Sequence, residues 1–429
     1  MDKSFSWVDR IEGTLVVPAD KSIAHRALMF AGMAAGTSRI TGRISGEDVN
    51  STRRCMESLG AQVTAESPGV LVVRGTGWHT PAQAALDCGN SGTTMRLLCG
   101  ALAGREGKYI LSGDSSLSRR PMLRVAEPLS LMGATVETSD EGRPPLTVRG
   151  RAGSLTPLIY RSPVPSAQVK SAILLAGLQA DGLTTVQESA PSRDHTERIL
   201  AWLGCRILCT EGQVSVQGGD QLFAHGGFEM QLPGDLSSAA FWLVAAILAP
   251  AGEIRIDGVG LNPGRTGILD VLSAMGAGLE ITPTADAPEP VGTVVARPSR
   301  LKATEVSGAT IPAALDELPL VALAATQAEG TTIIRDAAEL RVKETDRIAV
   351  LAEGLRALGA KVEDRPDGLI IEGPTPLGGG TVKAAGDHRM AMTFAVAGLI
   401  SREPVTVTGW DAASVSYPGF GDDLKKVAG

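Results

Sequence analysis

Apolar residues recur at helical spacing directly after a cluster of charges in the stretch from Leu340 to Gly359. Ile348, Leu351, Ala352, Leu355 and Leu358 fall on one face and Glu353 and Arg356 on the other, which predicts a helix. Thr345 is the expected N-cap with Asp346 in the first turn, leaving Arg341, Lys343 and Glu344 in the loop before it. Arg347 then falls in the first turn, where a cation opposes the helix dipole by about 0.3–1 kcal/mol. Lys343 and Arg347 in such a place suit an anion supplied from outside, or else a solvated ion-pair cluster in which Glu344 offsets Arg347.

The phrase that ends this helix recurs down the chain, as Ser58-Leu-Gly-Ala-Gln-Val63, Leu131-Met-Gly-Ala-Thr-Val136, Trp202-Leu-Gly-Cys-Arg-Ile207, Ala274-Met-Gly-Ala-Gly-Leu279 and Ala357-Leu-Gly-Ala-Lys-Val362. Each reads as a helix end, a glycine just past it, then a strand. The glycines at 60, 133, 204, 276 and 359 are separated by 73, 71, 72 and 83 residues. One further step reaches the terminal Leu424 to Gly429, so the chain is about six units of roughly 72 residues. Upstream of the phrase a small-residue helix ends near Gly or Arg and a strand follows, as in Gly36 to Thr41, Gly182 to Gln187, Gly252 to Asp257, Gly330 to Arg335 and Glu403 to Thr408. The unit reads strand, helix, strand, helix, strand, with an extra pairing strand, and its period is too long for the common solenoids.

A third phrase heads each unit's first helix: Lys21 to Arg26, Gly89 to Arg96, Ser166 to Lys170, Gly234 to Ser238, Ile311 to Glu317 and Gly386 to Arg389. In a symmetric arrangement these N-termini converge on shared clefts and sum their positive ends for an anionic ligand, which puts the chemistry between domains. Pro233-Gly234 breaks the chain near its midpoint. The expected domains are therefore 19–233 and 1–18 plus 234–429, since the residues before Pro18 precede the first repeat and can pair back with the second half. Thr282 to Arg300, rich in Pro, Thr and Ala, reads as a surface connection. Ala239 to Pro250 is the longest apolar run, too short to span a bilayer and expected as a buried helix.

Composition narrows the classes. A chain of 429 residues is too long for one ordinary core. Hydrophobic residues make up 43% and aromatics 3%, with 51 glycines, so the interior should be Ala, Leu, Val and Ile, without a stacking surface for nucleic acid. A net charge of −7 gives no general pull toward polyanions, so an anionic ligand needs locally focused cations. Five cysteines without a CxxC pair read as free buried thiols of a reducing cytosol, and five scattered histidines predict no structural metal. Met1 to Gly13 holds Asp2, Asp9 and Glu12 and no apolar run, which argues against a signal peptide.

The charged phrases carry the candidate chemistry. Lys21, Ser22 and Arg26 follow the apolar Leu15 to Pro18 strand, with Ser22 as the expected N-cap, and form a phosphate site or a patch of surface charge. The preceding glycine-rich loop of a nucleotide-triphosphate site is absent. Gly89 to Gly92 is a turn opening a helix, either structural or a place where backbone approaches a ligand. Pro121 suits a first helical position and so places Arg120 at an N-terminus; Ser192 to Glu197 does the same with Arg193. Acid and base candidates are Asp316, Glu317, Glu344 and Asp387. Asp387 reads as a cap for a helix starting at His388. Asp316 and Glu317 interrupt the apolar stretch Ala313 to Ala325, so at least one should be buried against a ligand or an arginine. Glu344, with Lys21 across a cleft, is a candidate proton carrier. There is no Gly-x-Ser-x-Gly elbow, metal motif or Rossmann fingerprint. Spacing alone therefore predicts a six-unit α/β protein that binds a doubly anionic small ligand between two domains.

In order along nearly the whole chain, Lys21-Ser22 to Arg26, Gly89-Asn-Ser-Gly-Thr-Thr-Met-Arg96, Arg120-Pro121, Ser166-Ala-Gln168, Ser192-Arg-Asp-His195, Asp316-Glu317, Arg341-Val-Lys-Glu-Thr-Asp-Arg347 and Asp387-His-Arg-Met390 closely resemble the 5-enolpyruvylshikimate 3-phosphate synthase family of enolpyruvyl transferases. The resemblance implies an α/β fold of two domains, each of three βαβαββ units, the inside-out α/β barrel of those transferases, with the active site in the interdomain cleft. It implies transfer of the enolpyruvyl group of phosphoenolpyruvate to the 5-hydroxyl of shikimate 3-phosphate, with release of phosphate, in aromatic amino acid biosynthesis. By the same resemblance Lys21, Ser22, Arg26, Ser166, Ala167, Gln168, Arg193, Asp316 and Lys343 meet shikimate 3-phosphate. Lys21, Gly92, Arg120, Gln168, Arg347 and Arg389 meet phosphoenolpyruvate. Asp316 takes the 5-hydroxyl proton, and Glu344, with Lys21, supplies one to the methylene carbon. Two anionic substrates suit guanidinium forks, and addition then elimination at a vinyl carbon needs an acid and a base but no metal or cofactor.

Three positions depart from the pattern. Val415 stands where some members carry lysine, Glu339 where some carry asparagine and Ala167 where some carry serine. The rival readings are the sister enzyme acting on UDP-N-acetylglucosamine, whose loop cysteine is missing from Gly113 to Arg120, and a non-catalytic anion-binding protein on the same fold. The expected partners are the two small-molecule substrates, with no nucleic acid and no membrane, for a cytoplasmic monomer.

Overall fold

Gly60, Gly133, Gly204, Gly276 and Gly359 all take a positive φ, between 83° and 101°. At each, the glycine N–H reaches the carbonyl three residues back and the next N–H the carbonyl five back, as in Gly60 to Glu57 and Ala61 to Met56, both at 3.0 Å. This double closure satisfies the last carbonyls of a helix and favours a residue without a Cβ. The helices closed this way are Glu47–Ser58, Leu123–Leu131, His195–Trp202, Gly267–Ala274 and Arg347–Ala357. A strand follows each: Gln62–Ser67, Thr135–Glu137, Ile207–Thr210, Gly278–Ala285 and Lys361–Arg365.

The structure, a computed structural model, describes residues 1–150, 153–219 and 224–428, so Gly429, the end of the sixth repeat, lies outside the described residues. The second repeat shows the plan. Gln83–Asp87 runs parallel to Gly107–Ser112, joined through the helix Gly92–Leu102, because parallel neighbours need a crossover. Leu146–Gly150 pairs antiparallel with Gly107–Ser112 and takes Thr135–Glu137 on its far side. The same order recurs in the third repeat, Ile159–Arg161, Leu183–Gln187, Gln213–Gln217 and Ile207–Thr210, and in the fifth, Glu305–Val306, Gly330–Ile334, Gly368–Gly373 and Lys361–Arg365.

The chain divides into two compact units, Ala19–Leu232 with Ala287–Glu289, and Met1–Pro18 with Pro233–Asp286 and Pro290–Gly429. In the first, the late strand Glu229–Gln231 lies parallel to Thr37–Thr41 and completes the sheet behind the helix Lys21–Met33. In the second, Gly13–Leu15 lies parallel to Ile254–Gly260, behind the helix Leu236–Leu248. Asp2–Phe5 pairs antiparallel with Val405–Thr408, beside Gly380–Lys383, in a sheet of three strands. Leu236–Leu248 is the buried helix expected from its apolar run. Trp242 stacks on Phe420 with centroids 4.5 Å apart and donates its indole N–H to the Tyr417 hydroxyl at 3.0 Å.

Several local expectations are corrected. Thr282 to Arg300 is no surface connection: Gly278–Ala285 and Val291–Arg297 form an antiparallel hairpin, with Val294 and Ala296 fully buried. The Val-Gly-Thr-Val-Val-Ala run was the strand signal that Pro and Thr content obscured. Cys55, Cys88, Cys99 and Cys205 are buried free thiols, but Cys209 is exposed on the edge strand Ile207–Thr210. The Lys21–Met33 helix is capped by Asp20, which accepts from Ile23 N–H at 3.0 Å, and not by Ser22. Arg347–Ala357 is capped by Asp346, which accepts from Ala349 N–H at 3.0 Å, and not by Thr345. At both ends a nearby carboxylate takes the cap, as its charge favours beside a helix dipole. Pro121 lies two residues ahead of Leu123–Leu131 instead of inside it. Among the described residues no helix is long and apolar enough to cross a membrane.

Candidate active site

Three helices of the Ala19–Leu232 unit open with the phrases singled out by sequence. Asp20 caps Lys21–Met33, Ser91 caps Gly92–Leu102 and Ser166 caps Ala167–Gly177, and none has an acidic residue in its first turn. Their amide ends therefore keep their positive character. Lys21 Nζ pairs with Asp48 at 2.8 Å while 33% of the lysine side chain stays exposed. Ser22, Ser166, Ala167 and Gln168 are half-buried at such ends, and Arg193 is half-buried just before the helix His195–Trp202.

Arg26 differs from that open arrangement. Its residue exposure is 2%, and it donates to Thr196 Oγ1 at 2.6 Å, Ser171 Oγ at 2.8 Å and the Ser22 carbonyl at 2.9 Å. Burial holds the guanidinium below its ordinary pKa. It therefore ties Lys21–Met33 to Ala167–Gly177 and His195–Trp202. Beside it Lys170 meets Glu188 and Glu197, both at 2.8 Å. Burial opposes the lysine's charge, but Glu197 and Glu188 outweigh it and raise the pKa. Glu188 also accepts from Ser192 Oγ at 2.6 Å and Ser166 N–H at 3.2 Å, which anchors the loop carrying Arg193 against the Ser166 cap.

Gly92 lies under two guanidinium groups. A Cβ there would stand 3.0 Å from Arg96 and 3.3 Å from Arg120, both at NH1. Arg96 donates to Gln168 Oε1 and to the Pro121 carbonyl at 3.3 Å, while Gln168 Nε2 donates to Thr93 Oγ1 at 2.9 Å. Burial, with Arg124 and Arg120 adding to it, pulls the Arg96 pKa down to about 9. Gly92, Arg96, Arg120 and Gln168 thus form one cationic pocket wall on which an anion relieves the crowding of like charge.

The Met1–Pro18 unit gathers the acids. Arg347, 1% exposed, donates to Asp387 at 2.7 Å, Glu344 at 2.7 Å and Asp316 at 3.4 Å. Burial works against this charge, but Asp387, Glu344 and Asp316 outweigh it and hold the guanidinium above its ordinary pKa. Arg347 is therefore paired, as in the Glu344 alternative read from sequence, yet its guanidinium and Asp387 are buried and only Glu344 and Asp316 keep some exposure. Asp387 also caps His388–Ile400, as expected. Asp316 further lies 3.8 Å from Arg389 and 3.9 Å from Arg265. Glu317, 1% exposed, accepts from Arg389 at 3.2 Å, so the expected burial of an acid against an arginine falls on this residue. Arg265 pairs with Asp235 at 2.7 Å. Three guanidinium groups thus face five carboxyl groups, and an entering anion must displace at least one. Lys343 pairs with Glu339 at 2.8 Å outside this cluster, and Val415 is half-buried at the end of the turn Trp410–Val415.

Sequence reading missed Asp48, Glu188, Ser237 and Arg265, and left Arg96 without a role. Arg96 and Ser237 fell inside phrases already singled out. Arg265, in Leu261-Asn-Pro-Gly-Arg265, gave no signal beyond a turn.

Five four-stranded sheets of one plan and a sixth of three strands, with guanidinium groups and carboxylates at the helix ends, define an enolpyruvyl-transferase architecture. The enolpyruvyl transferase NikO from Streptomyces tendae shares the fold, with a TM-score of 0.79 at 20% identity over 99% of this chain and 96% of that one. The family model for EPSP synthase (3-phosphoshikimate 1-carboxyvinyltransferase) matches residues 6–424, and the chain belongs to that family. It is 50% identical to the 3-phosphoshikimate 1-carboxyvinyltransferase of Synechococcus sp. (strain RCC307), over 97% of each chain. It is 47% identical to that of Geobacter sulfurreducens, again over 97% of each. The solved EPSP synthase from Acinetobacter baumannii aligns with a TM-score of 0.91 and 39% identity, over 100% of this chain and 98% of the other.

Proposed function

We propose that this chain is a transferase that moves the enolpyruvyl group of phosphoenolpyruvate to the 5-hydroxyl of shikimate 3-phosphate and releases phosphate, a step of aromatic amino acid biosynthesis. The observation that carries this reading is that Asp316 and Glu344, the base and acid the reaction requires, sit on the same buried guanidinium of Arg347. Asp316 takes the 5-hydroxyl proton as the oxygen adds to C2 of phosphoenolpyruvate, and Glu344, aided by Lys21, delivers a proton to the C3 methylene. The tetrahedral adduct then loses a proton from C3 and expels phosphate, regenerating the vinyl group. An anion that takes the Arg347 fork leaves Glu344 free to carry and deliver that proton.

Lys21, Ser22, Ser166, Ala167, Gln168, Arg193, Asp316 and Lys343 bind shikimate 3-phosphate in this reading. Arg26 joins them, its guanidinium held by Thr196 and Ser171. Lys21, Gly92, Arg120, Gln168, Arg347 and Arg389 bind phosphoenolpyruvate. Val415 has no charge to offer that substrate, while Arg96 shares the Gly92 wall with Arg120. The domains follow the halves 19–233 and 1–18 plus 234–429, the first serving mainly shikimate 3-phosphate. The chain works as a cytoplasmic monomer, a setting its four buried free thiols suit.

The test is phosphate release from phosphoenolpyruvate by purified protein with shikimate 3-phosphate or UDP-N-acetylglucosamine as acceptor. Release with the first alone is expected. Release with the second alone would establish the sister reaction, and release with neither the non-catalytic reading.

A further inference from the structure

Glu317 is a buried acid for which the reaction has no task. It stands at the N-cap of Leu318–Ala325, where its side chain caps nothing. Its Oε1 instead accepts from the Ser237 hydroxyl and from Arg389 at 3.2 Å. Ser237, 3% exposed in the first turn of Leu236–Leu248, accepts in turn from Arg389 at 3.3 Å and from Arg265 at 2.7 Å. One carboxyl and one hydroxyl therefore hold two guanidinium groups, and both groups reach toward the Asp316 carboxylate.

Stability alone is a weak reason for such an arrangement. The second oxygen, Oε2, is buried with no hydrogen-bond partner, and burial raises the pKa of the carboxyl against the pull of Arg389 and Arg265. Desolvation offsets most of what a buried ion pair contributes. What the contacts do fix is direction: a planar guanidinium held at two of its nitrogens points its remaining N–H groups one way. Arg389 donates NH1 to Glu317 and to the Asp316 carbonyl, the latter at 3.1 Å, and NH2 to Ser237.

We propose that Glu317 is a positioning residue: acting with Ser237, it aims Arg389 and Arg265 at the place beside Asp316 where the anionic substrate binds. The inference rests on the reaction proposed above and takes that anion to be phosphoenolpyruvate. Glu317 touches no reacting atom; it acts through Arg389.

The test is steady-state phosphate release by the full chain at saturating shikimate 3-phosphate. Glu317→Ala is expected to raise KM for phosphoenolpyruvate about tenfold, or about 1.4 kcal/mol, with kcat changing less than about threefold because Arg347 keeps its own partners. Glu317→Gln still offers Oε1 to Ser237 and Arg389 and is expected within about threefold of the wild type in both constants. Ser237→Ala, which removes the other half of the strut without emptying much volume, is expected to raise KM as well, and it carries the test if Glu317→Ala does not fold. An unchanged KM in the alanine variants, or the same rise in Glu317→Gln as in Glu317→Ala, overturns the proposal. A wild type that releases no phosphate counts against the reaction instead. Titration calorimetry with phosphoenolpyruvate then decides the positioning role, with weaker binding expected in Glu317→Ala than in Glu317→Gln and equal binding refuting it.

Discussion

Glu344→Gln separates chemistry from scaffolding on the Arg347 guanidinium. The amide keeps the shape of the carboxylate and can still accept from Arg347, so the change removes a charge and a transferable proton but no volume. Arg347 retains Asp387 at 2.7 Å and Asp316 at 3.4 Å, so its own charge stays compensated. Converting one charge-assisted hydrogen bond to a neutral one costs about 1 kcal/mol in a buried setting. Because 30% of the Glu344 side chain is exposed, water screens part of that, and the loss of stability should be under about 1 kcal/mol. Removing the proposed proton donor of the addition step should lower kcat by about 10²-fold or more. The assay is phosphate release alongside calorimetric binding of shikimate 3-phosphate and a melting curve. The expected result is lost turnover, near-normal shikimate 3-phosphate affinity and a melting midpoint within a few degrees of the wild type. Near-normal turnover with a lower midpoint would show that Glu344 is only a counter-ion of Arg347 and would remove it from the reaction.

Asp387→Asn is the opposite case: both partners are buried, so leaving Arg347 short of its most buried carboxylate should destabilise by about 2–4 kcal/mol, read as denaturant midpoint, and an unchanged midpoint would refute the pairing. Gly92→Ala pushes a methyl against Arg96 and Arg120, so glyphosate, expected to compete with phosphoenolpyruvate, should lose more affinity than the substrate; equal losses would place it elsewhere. His25 is fully buried, and burial lowers its pKa to about 3, against an ordinary 6.5. The unfolded chain therefore takes up this proton first as pH falls, and stability should drop below about pH 6.5 by up to about 1.4 kcal/mol per pH unit until the folded pKa is reached. His25→Asn should flatten that slope in melting curves between pH 7 and pH 4; parallel slopes would assign the acid sensitivity to other groups.

What could be read from sequence was what is decided locally. A glycine that closes a helix acts through carbonyls three and four residues away, so five repeats of one phrase disclosed five helix ends and, with them, the repeat itself. The helix caps were placed only to within two residues, because Asp20 and Ser22, or Asp346 and Thr345, are chemically able to do the same task. Counter-ions were out of reach. Asp48 lies 27 residues from Lys21, and Asp235 lies 30 from Arg265; nothing local marks either as a partner, since only the fold brings them together. Sequence showed where cations accumulate but not that Arg347 meets three carboxylates, which is what gives Asp316 and Glu344 a common support.

The strands at the start of the chain set a timetable for its synthesis. All three sheets of the Ala19–Leu232 unit are complete once Glu229–Gln231 has been made, so they can form while the rest is still being translated. Asp2–Phe5 leaves the ribosome well before its neighbour Val405–Thr408, which is made some 400 residues later, a wait of roughly 20–80 s at ordinary translation rates. For that interval an unpaired strand is offered to any other nascent chain. Asp2, Lys3 and Ser4, three polar residues ahead of the one buried side chain, Phe5, are the composition that keeps such a strand from finding the wrong partner.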